Sequence, residues 1–310
     1  MENKIQPIIP INPAGIEDVA EALSAPEPET SPETHFDFNV EQDDIKRFEQ
    51  IGLTPKEVIV LPAQLGNYAY PALGISMYRL GESDKLKQVT QALGISYTNT
   101  EQERTSRKNY IGNVNWFNAL KINLSLGGLT LPLREFKDFY NLLKNGKAGT
   151  TEVKNLEGQR VSRDKLAEIL EEIAKIREPW RAEWLDADFN FLDADGKLDK
   201  IKQGKFYLLT KHVLKNGVLV PSHKVELVDA DYISSQDCKV NASKFTSYGL
   251  PTEQGNDFSY WYPRKDNNSV ARFNANSGGA GLYCSRDPAV AYASLGVRYA
   301  SPIGRASLKI

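Results

Sequence analysis

A chain of 310 residues, 41% hydrophobic and 25% charged, has enough apolar side chain to bury a large core as one big domain or two small ones. Its net charge of −2 argues against nucleic acid or an anionic membrane surface as partner. No apolar run approaches the roughly 18–20 residues of a membrane-spanning helix, so no membrane insertion is expected.

The first residues carry no basic segment followed by an apolar core, so no secretory signal is visible; release through virion assembly or lysis would need none. Residues 1–53 are rich in Pro and Glu at their start and read as a mobile or extended arm, with one short helix near Ile16–Leu23. Order is expected from about Thr54, giving one folded domain over 54–310. Lys56–Pro62 is a short β-branched strand, and a helix follows with Ser83 as N-cap and Gly94 as its stop.

Trp116, Ala119, Leu120, Leu124 and Leu126 recur at helical spacing, ended by Gly127–Gly128. Leu133, Phe136, Phe139, Tyr140 and Leu143 form a second stripe that Gly146 should close, and the short link predicts that these two helices pack together. A third helix over Ser162–Arg177 puts Leu166, Ile169, Leu170, Ile173 and Ile176 on one face. From Trp180 the period changes to two, with a hairpin around the type I′ turn Asn216–Gly217 and further strands at Phe258–Pro263 and Leu295–Ala300. Helices first and strands afterwards predict an α+β fold, its helices packed on a mainly antiparallel twisted sheet.

Few residues suggest chemistry. Asp193 and Asp195 begin a pattern like a calcium loop, but Lys197 stands at a ligand position and Gly204 where the distal Glu belongs, which favours a polar hairpin turn. His212 and His223 would lie diagonally on one face of the hairpin, an incomplete metal site, and His35 lies in the arm. With no nucleophile–base arrangement and no phosphate-binding loop, the chain is not expected to be an enzyme, and no catalytic residue, metal or cofactor is assigned. Cys238 and Cys284 exclude a disulfide scaffold; they either pair with each other or stay as free thiols.

The C-terminal stretch stands apart. From Asp266 to Leu308 there is no Lys, Glu, Gln, Met or Trp, although Arg272, Arg286, Arg298, Asp266 and Asp287 remain. Charge as such is therefore not excluded; particular residue types are. The segment from Tyr260 to Arg298, "YWYPRKDNNSVARFNANSGGAGLYCSRDPAVAYASLGVR", resembles the variable region of the target proteins of diversity-generating retroelements. In that family a reverse transcriptase miscopies a template at adenines and writes the copy into the gene of a display protein. Its AAC codons can become any codon ending in C, and such codons never encode the five absent types.

Upstream, Trp116, Ala119, Gly128, Leu131, Pro132 and Glu135 in "WFNALKINLSLGGLTLPLREF" are similar to the helical signature of C-type lectin folds of the formylglycine-generating-enzyme-like subtype. The resemblance implies a C-type lectin fold and a variable region over about 266–298. The ligand-binding positions it implies are Asn268, Ser269, Asn274, Asn276, Gly278, Gly279, Gly281, Tyr283, Ser285, Ala289, Val290, Ala291, Tyr292 and Ser294. The framework would include Trp261, Arg272, Phe273, Leu282, Arg286, Leu295, Val297 and Arg298. Calcium-binding motifs of sugar-binding lectins are missing, and the cysteines sit in no oxidase motif. The function expected is that of a ligand-binding display protein, a phage or virus receptor-binding type among the possibilities, with a protein or cell-surface partner. The alternative is a lectin or adhesin of fixed specificity on the same fold. Alternation predicts that Asn274, Asn276, Gly281, Tyr283 and Ser285 share a solvent-facing patch, with Phe273, Leu282 and Val297 turned toward the helices of Phe136 and Trp116.

Overall fold

The computed structural model describes residues 40–100, 109–176, 180–192, 205–227, 237–264 and 269–304. They belong to a compact unit, Phe38–Ile310, while a separate unit, Met1–Asp37, falls outside them. The expected helix at Ile16–Leu23, His35, the Asp193–Asp199 turn and Asn268 also lie outside the described residues.

The folded unit starts earlier than Thr54. Helix α1 (Gln42–Gln50) buries Phe48 completely against Tyr299, ring centroids 5.5 Å apart. Its polar side is tied to the far end of the chain: Asp44 Oδ2 accepts from the Gly304 amide at 2.8 Å, and Arg47 donates to Ser301 Oγ and the Pro302 carbonyl. The segment is short and mostly polar, with Ile45 and Phe48 its only apolar residues, and its polar side bonds partners some 250 residues away.

Strands β1 (Val58–Leu61) and β2 (Leu73–Arg79) pair with each other and, through β2, with the last strand β13 (Arg298–Pro302). Helix α2 (Asp84–Leu93) has the expected ends: the Ser83 hydroxyl accepts from the Leu86 amide, and Gly94 takes φ 65°, the left-handed stop that a Cβ would penalise. A small ribbon, β3 (Thr98–Thr100) with β4 (Tyr110–Gly112), leads into helix α3 (Trp116–Ser125) and then α4 (Leu133–Ala148) and α5 (Arg163–Ala174).

Three helical expectations change. Helix α4 runs past Gly146 to Gly149, which adopts φ 82°. Gly146 is buried inside the helix, where it must be glycine because a Cβ would come within 2.4 Å of Val153 and 2.7 Å of Leu166. Helix α5 ends at Ala174, leaving Ile176 exposed. And α3 and α4 bury their stripes in different clusters: Trp116, Ala119, Leu120 and Ile122 in one, Leu133, Phe136, Phe139 and Leu143 in the other, with α5.

Between those clusters runs the main sheet. It is ordered β7 (Val218–Leu227), β6 (Lys205–Lys215), β5 (Arg181–Leu192), β10 (Ser269–Asn276), β11 (Gly279–Arg286), β9 (Phe258–Trp261), β8 (Cys238–Val240), and the short β12 (Leu295–Gly296) also joins β5. Pairing is antiparallel except for β11 with β9 and β12 with β5, so the fold is α+β with mostly antiparallel sheets. The β6–β7 hairpin turns at Asn216 (φ 53°) and Gly217 (φ 76°), the two positive angles of a type I′ turn. The period of two in β5 separates two cores: Leu185, Ala187 and Phe189 face the α4–α5 cluster, while Ala182 and Trp184 face the α3 cluster.

A buried ion cluster locks the sheets together. Arg298 Nε meets Glu183 Oε2 at 2.8 Å, its Nη2 lies 3.3 Å from Glu172, and its Nη1 donates to the carbonyls of Ser76 and Met77. Arg79 shares Glu172 at 2.6 Å. Burial disfavours the Arg298 cation, but Glu183 and then Glu172 outweigh it and hold its pKa above the ordinary value. Two cations and two carboxylates balance, which is what makes such burial tolerable.

Candidate functional site

Strands β10 and β11 form a hairpin whose register pairs Asn276 with Gly279 across a Ser277–Gly278 turn. Its alternation separates two faces. On one, Phe273 lies 5.1 Å from the Phe136 ring and Leu282 and Cys284 are sealed in the α4–α5 cluster. Val297 is buried with Trp116 in the other cluster, so all three framework residues point inward as expected.

The opposite face carries Arg272, Asn274, Asn276, Gly281, Tyr283 and Ser285. A bulge between Val270 and Arg272 breaks the register toward both β5 and β11 at this point, and bulges of this kind re-aim a side chain. The Arg272 guanidinium comes 4.9 Å from the Trp180 ring centre and 5.7 Å from that of Tyr283. Arg286 lies 4.6 Å from the same Tyr283 ring centre. Trp261 stacks on Tyr283, and Tyr292 meets Trp180 edge-on at 5.6 Å. The result is a continuous row, Tyr292–Trp180–Arg272–Tyr283–Trp261, with Arg286 beside it.

This packing corrects the expected solvent exposure. Tyr283 keeps only 6% of its surface and Asn274 only 1%; Gly281, Ser285, Ser269 and Ser294 are buried as well. Strand alternation sets which face a side chain takes, but the arginines and tryptophans from neighbouring segments cover that face. Ser269 is structural, its hydroxyl accepting from the Arg264 amide at 2.9 Å. Gly281 is closed to side chains, since a Cβ would sit 2.9 Å from the Ser259 carbonyl and 2.8 Å from the Tyr283 ring. Among the candidates, Gly278, Ala289 and Tyr292 are exposed, and Asn276, Gly279, Val290 and Ala291 are half-buried. Asn276 reaches the Tyr283 hydroxyl at 3.4 Å and caps the turn by accepting from the Gly278 amide.

The loop that presents Ala289 to Tyr292 is anchored through main-chain atoms. The Trp116 amide donates to the Pro288 carbonyl, the Asn113 amide to Tyr292 O at 2.7 Å, and Tyr110 and Thr100 hydroxyls both to Ala293 O. The Asp287 carboxylate accepts from the Ala289 amide at 2.8 Å. None of these bonds uses a side chain from 289–293.

Electrostatically the row is cationic. Burial and then the neighbouring Arg286 push the Arg272 guanidinium down to about 10, with Tyr283 and Tyr292 opposing. Burial also lowers Arg286, reinforced by Arg264. Arg272 Nε and Nη1 and Arg286 Nε are buried and meet no acceptor among the described residues, and Asn274 Oδ1 is buried and meets no donor there. Sequence reasoning placed both arginines in the framework and did not single out Trp180. Trp180 precedes the candidate positions by some ninety residues, and only the fold brings it to Arg272 and Tyr292.

Other candidates resolve differently. His212 and His223 are diagonal in register, but His212 is buried with its Nδ1 2.6 Å from Asp186, while His223 is exposed and bonded to Ser222. Burial disfavours the His212 cation, yet the Asp186 charge and hydrogen bond together with Asp188 hold its pKa above 6.5. Burial is also the main cause that raises Asp188, to about 6. Among the described residues no group of three or more His, Cys, Asp and Glu is placed to hold a metal. Cys238 and Cys284 are both free thiols, and burial pushes both pKa values up. No described helix is long and apolar enough to cross a membrane. No family model, curated protein or solved structure matches the chain.

Proposed function

We propose that this chain is a non-enzymatic, ligand-binding display protein with a C-type lectin fold, whose binding face is diversified by a retroelement through adenine mutagenesis. The face comprises the outer side of the β10–β11 hairpin and the 287–294 loop. The observation that carries this reading is the main-chain anchoring of the loop: Ala289, Val290, Ala291 and Tyr292 contribute no side chain to the bonds that hold it. Residue identity can then change while the loop stays in place. The cysteines are poorly suited to nucleophilic or oxidase chemistry, since thiols with raised pKa supply little thiolate.

The burial of Asn274, Gly281, Tyr283 and Ser285 narrows the positions at which replacement is cheap to Asn276, Gly278, Ala289, Val290, Ala291 and Tyr292. It also favours a second reading, a lectin or adhesin of fixed specificity, in which the buried residues are ordinary framework. The gene distinguishes them. Diversification expects codons ending in C at the candidate positions, with a nearby imperfect repeat differing at adenines and a reverse-transcriptase gene. Mixed codon usage without such a repeat would leave the fixed-specificity protein.

A further inference from the structure

We infer that the arginine–aromatic row receives a carboxylate presented by an acidic segment of a protein partner, held between Arg272 and Arg286. This rests on the proposed binding face and names the chemistry of its ligand. Its basis is the contrast between two kinds of buried arginine in one molecule. Arg79 and Arg298 lie in the core with Glu172 and Glu183 against them. Arg272 is 6% exposed, yet no carboxylate of the described residues lies within 4 Å, and two of its nitrogens have no acceptor. A guanidinium buried without a counter-charge costs stability, and no described residue supplies one to Arg272. An external anion would recover it.

The surroundings select the anion. Trp180 and Tyr283 pack on Arg272, and Tyr283 is shared with Arg286, so two cations sit about one ring with few internal partners. Arg264 adds positive charge, and the opposing Asp237 already accepts from the Tyr262 amide. Planar guanidinium groups match the paired oxygens of a carboxylate. Trp261 and Tyr292, the exposed rings at the two ends of the row, are the parts able to turn aside for an incoming side chain. Tyr, Trp and Arg in one contiguous strip are the residue types that dominate protein–protein hot spots, which favours a protein over an acidic polysaccharide.

The test uses the full chain with octaglutamate, octaglutamine and polysialic acid, followed by calorimetry and by the fluorescence of Trp180 and Trp261. Octaglutamate is expected to bind saturably and octaglutamine not to bind. Because the protein's net charge is −2, attraction to a polyanion cannot come from bulk charge. Arg286→Gln and Arg272→Met should each weaken octaglutamate by about tenfold or more. Arg272→Met should hold or raise the melting temperature, since it removes an uncompensated buried cation; a fall as large as that of Arg298→Met would show Arg272 to be satisfied within the fold and overturn the inference. Equal binding by wild type and Arg286→Gln, no binding by wild type, or binding of polysialic acid alone would overturn it too. Codons ending in C combined with no octaglutamate binding would defeat this inference and leave the display function standing; octaglutamate binding with mixed codons would do the reverse.

Discussion

The indole of Trp261 lies flat on the ring of Tyr283, centroids 5.3 Å apart and planes 14° from parallel. The two are register partners in the parallel pair β9–β11, so one strand's terminal residue covers a residue that alternation alone would expose. Tyr283 is thereby part of the packed structure, while Tyr292, at 49% exposure, stays at the rim.

Tyr283→Ala should accordingly cost roughly 3–5 kcal/mol, as for other large buried aromatic side chains. Tyr292→Ala loses one edge-on contact with Trp180 and should stay within about 1 kcal/mol. Denaturant melts of both variants compare them directly. Equal losses would mean that the rim and the covered centre are not distinct.

Removing one member of the buried ion cluster strands the others. Arg298→Met leaves Glu183 and part of the Glu172 charge without a partner in the core, and a loss of about 3–5 kcal/mol is expected. Stability unchanged within about 1 kcal/mol would contradict the pairing.

Two neighbouring glycines should behave in opposite ways. Gly281→Val forces a side chain toward the Ser259 carbonyl and the Tyr283 ring and should lower the melting temperature sharply. Gly278→Ser faces only the Asn276 side chain at 3.3 Å, at an exposed turn, and should be nearly neutral. A library randomised at both positions and sorted for folded protein would show Gly enriched at 281 and mixed residues at 278. The same residue preference at the two sites would refute the distinction.

The paired His212 and Asp186 set a pH dependence. A histidine whose folded pKa exceeds 6.5 contributes stability fully present below that value and lost as pH rises through the folded pKa. Asp188, raised from 3.8 to about 6, acts in the same direction, its contribution fading as pH climbs through about 6. The melting temperature should therefore fall as pH rises above 6.5 through the folded pKa of His212, and His212→Gln should flatten that slope. A wild-type protein that gains stability over this range would contradict the assignment.

How much of this was legible depended on how local each cause is. Ser83, Gly94, Asn216 and Gly217 act within their own turns, and the sequence shows them directly. Gly146 misled because its reason for being glycine lies in Val153 and Leu166, beyond its own helix. The two faces of the hairpin followed from alternation, since Phe273 and Tyr283 do point to opposite sides. Their exposure did not follow, because Trp180 and Trp261 reach Tyr283 and Arg272 from separate segments. Helix α1 escaped for the same reason: Phe48 docks on Gly74 and Tyr299, and Asp44 and Arg47 bond residues 301–304, all distant in sequence.

That docking brings the first described helix against the last described residues, with Asp44 bonded to Gly304 and Arg47 to Ser301. Topologically the unit is nearly a closed ring with a seam. A short linker across the seam and a cut at the exposed Asn216–Gly217 turn would give a circular permutant with the same contacts in a new order, its ends now at a hairpin tip.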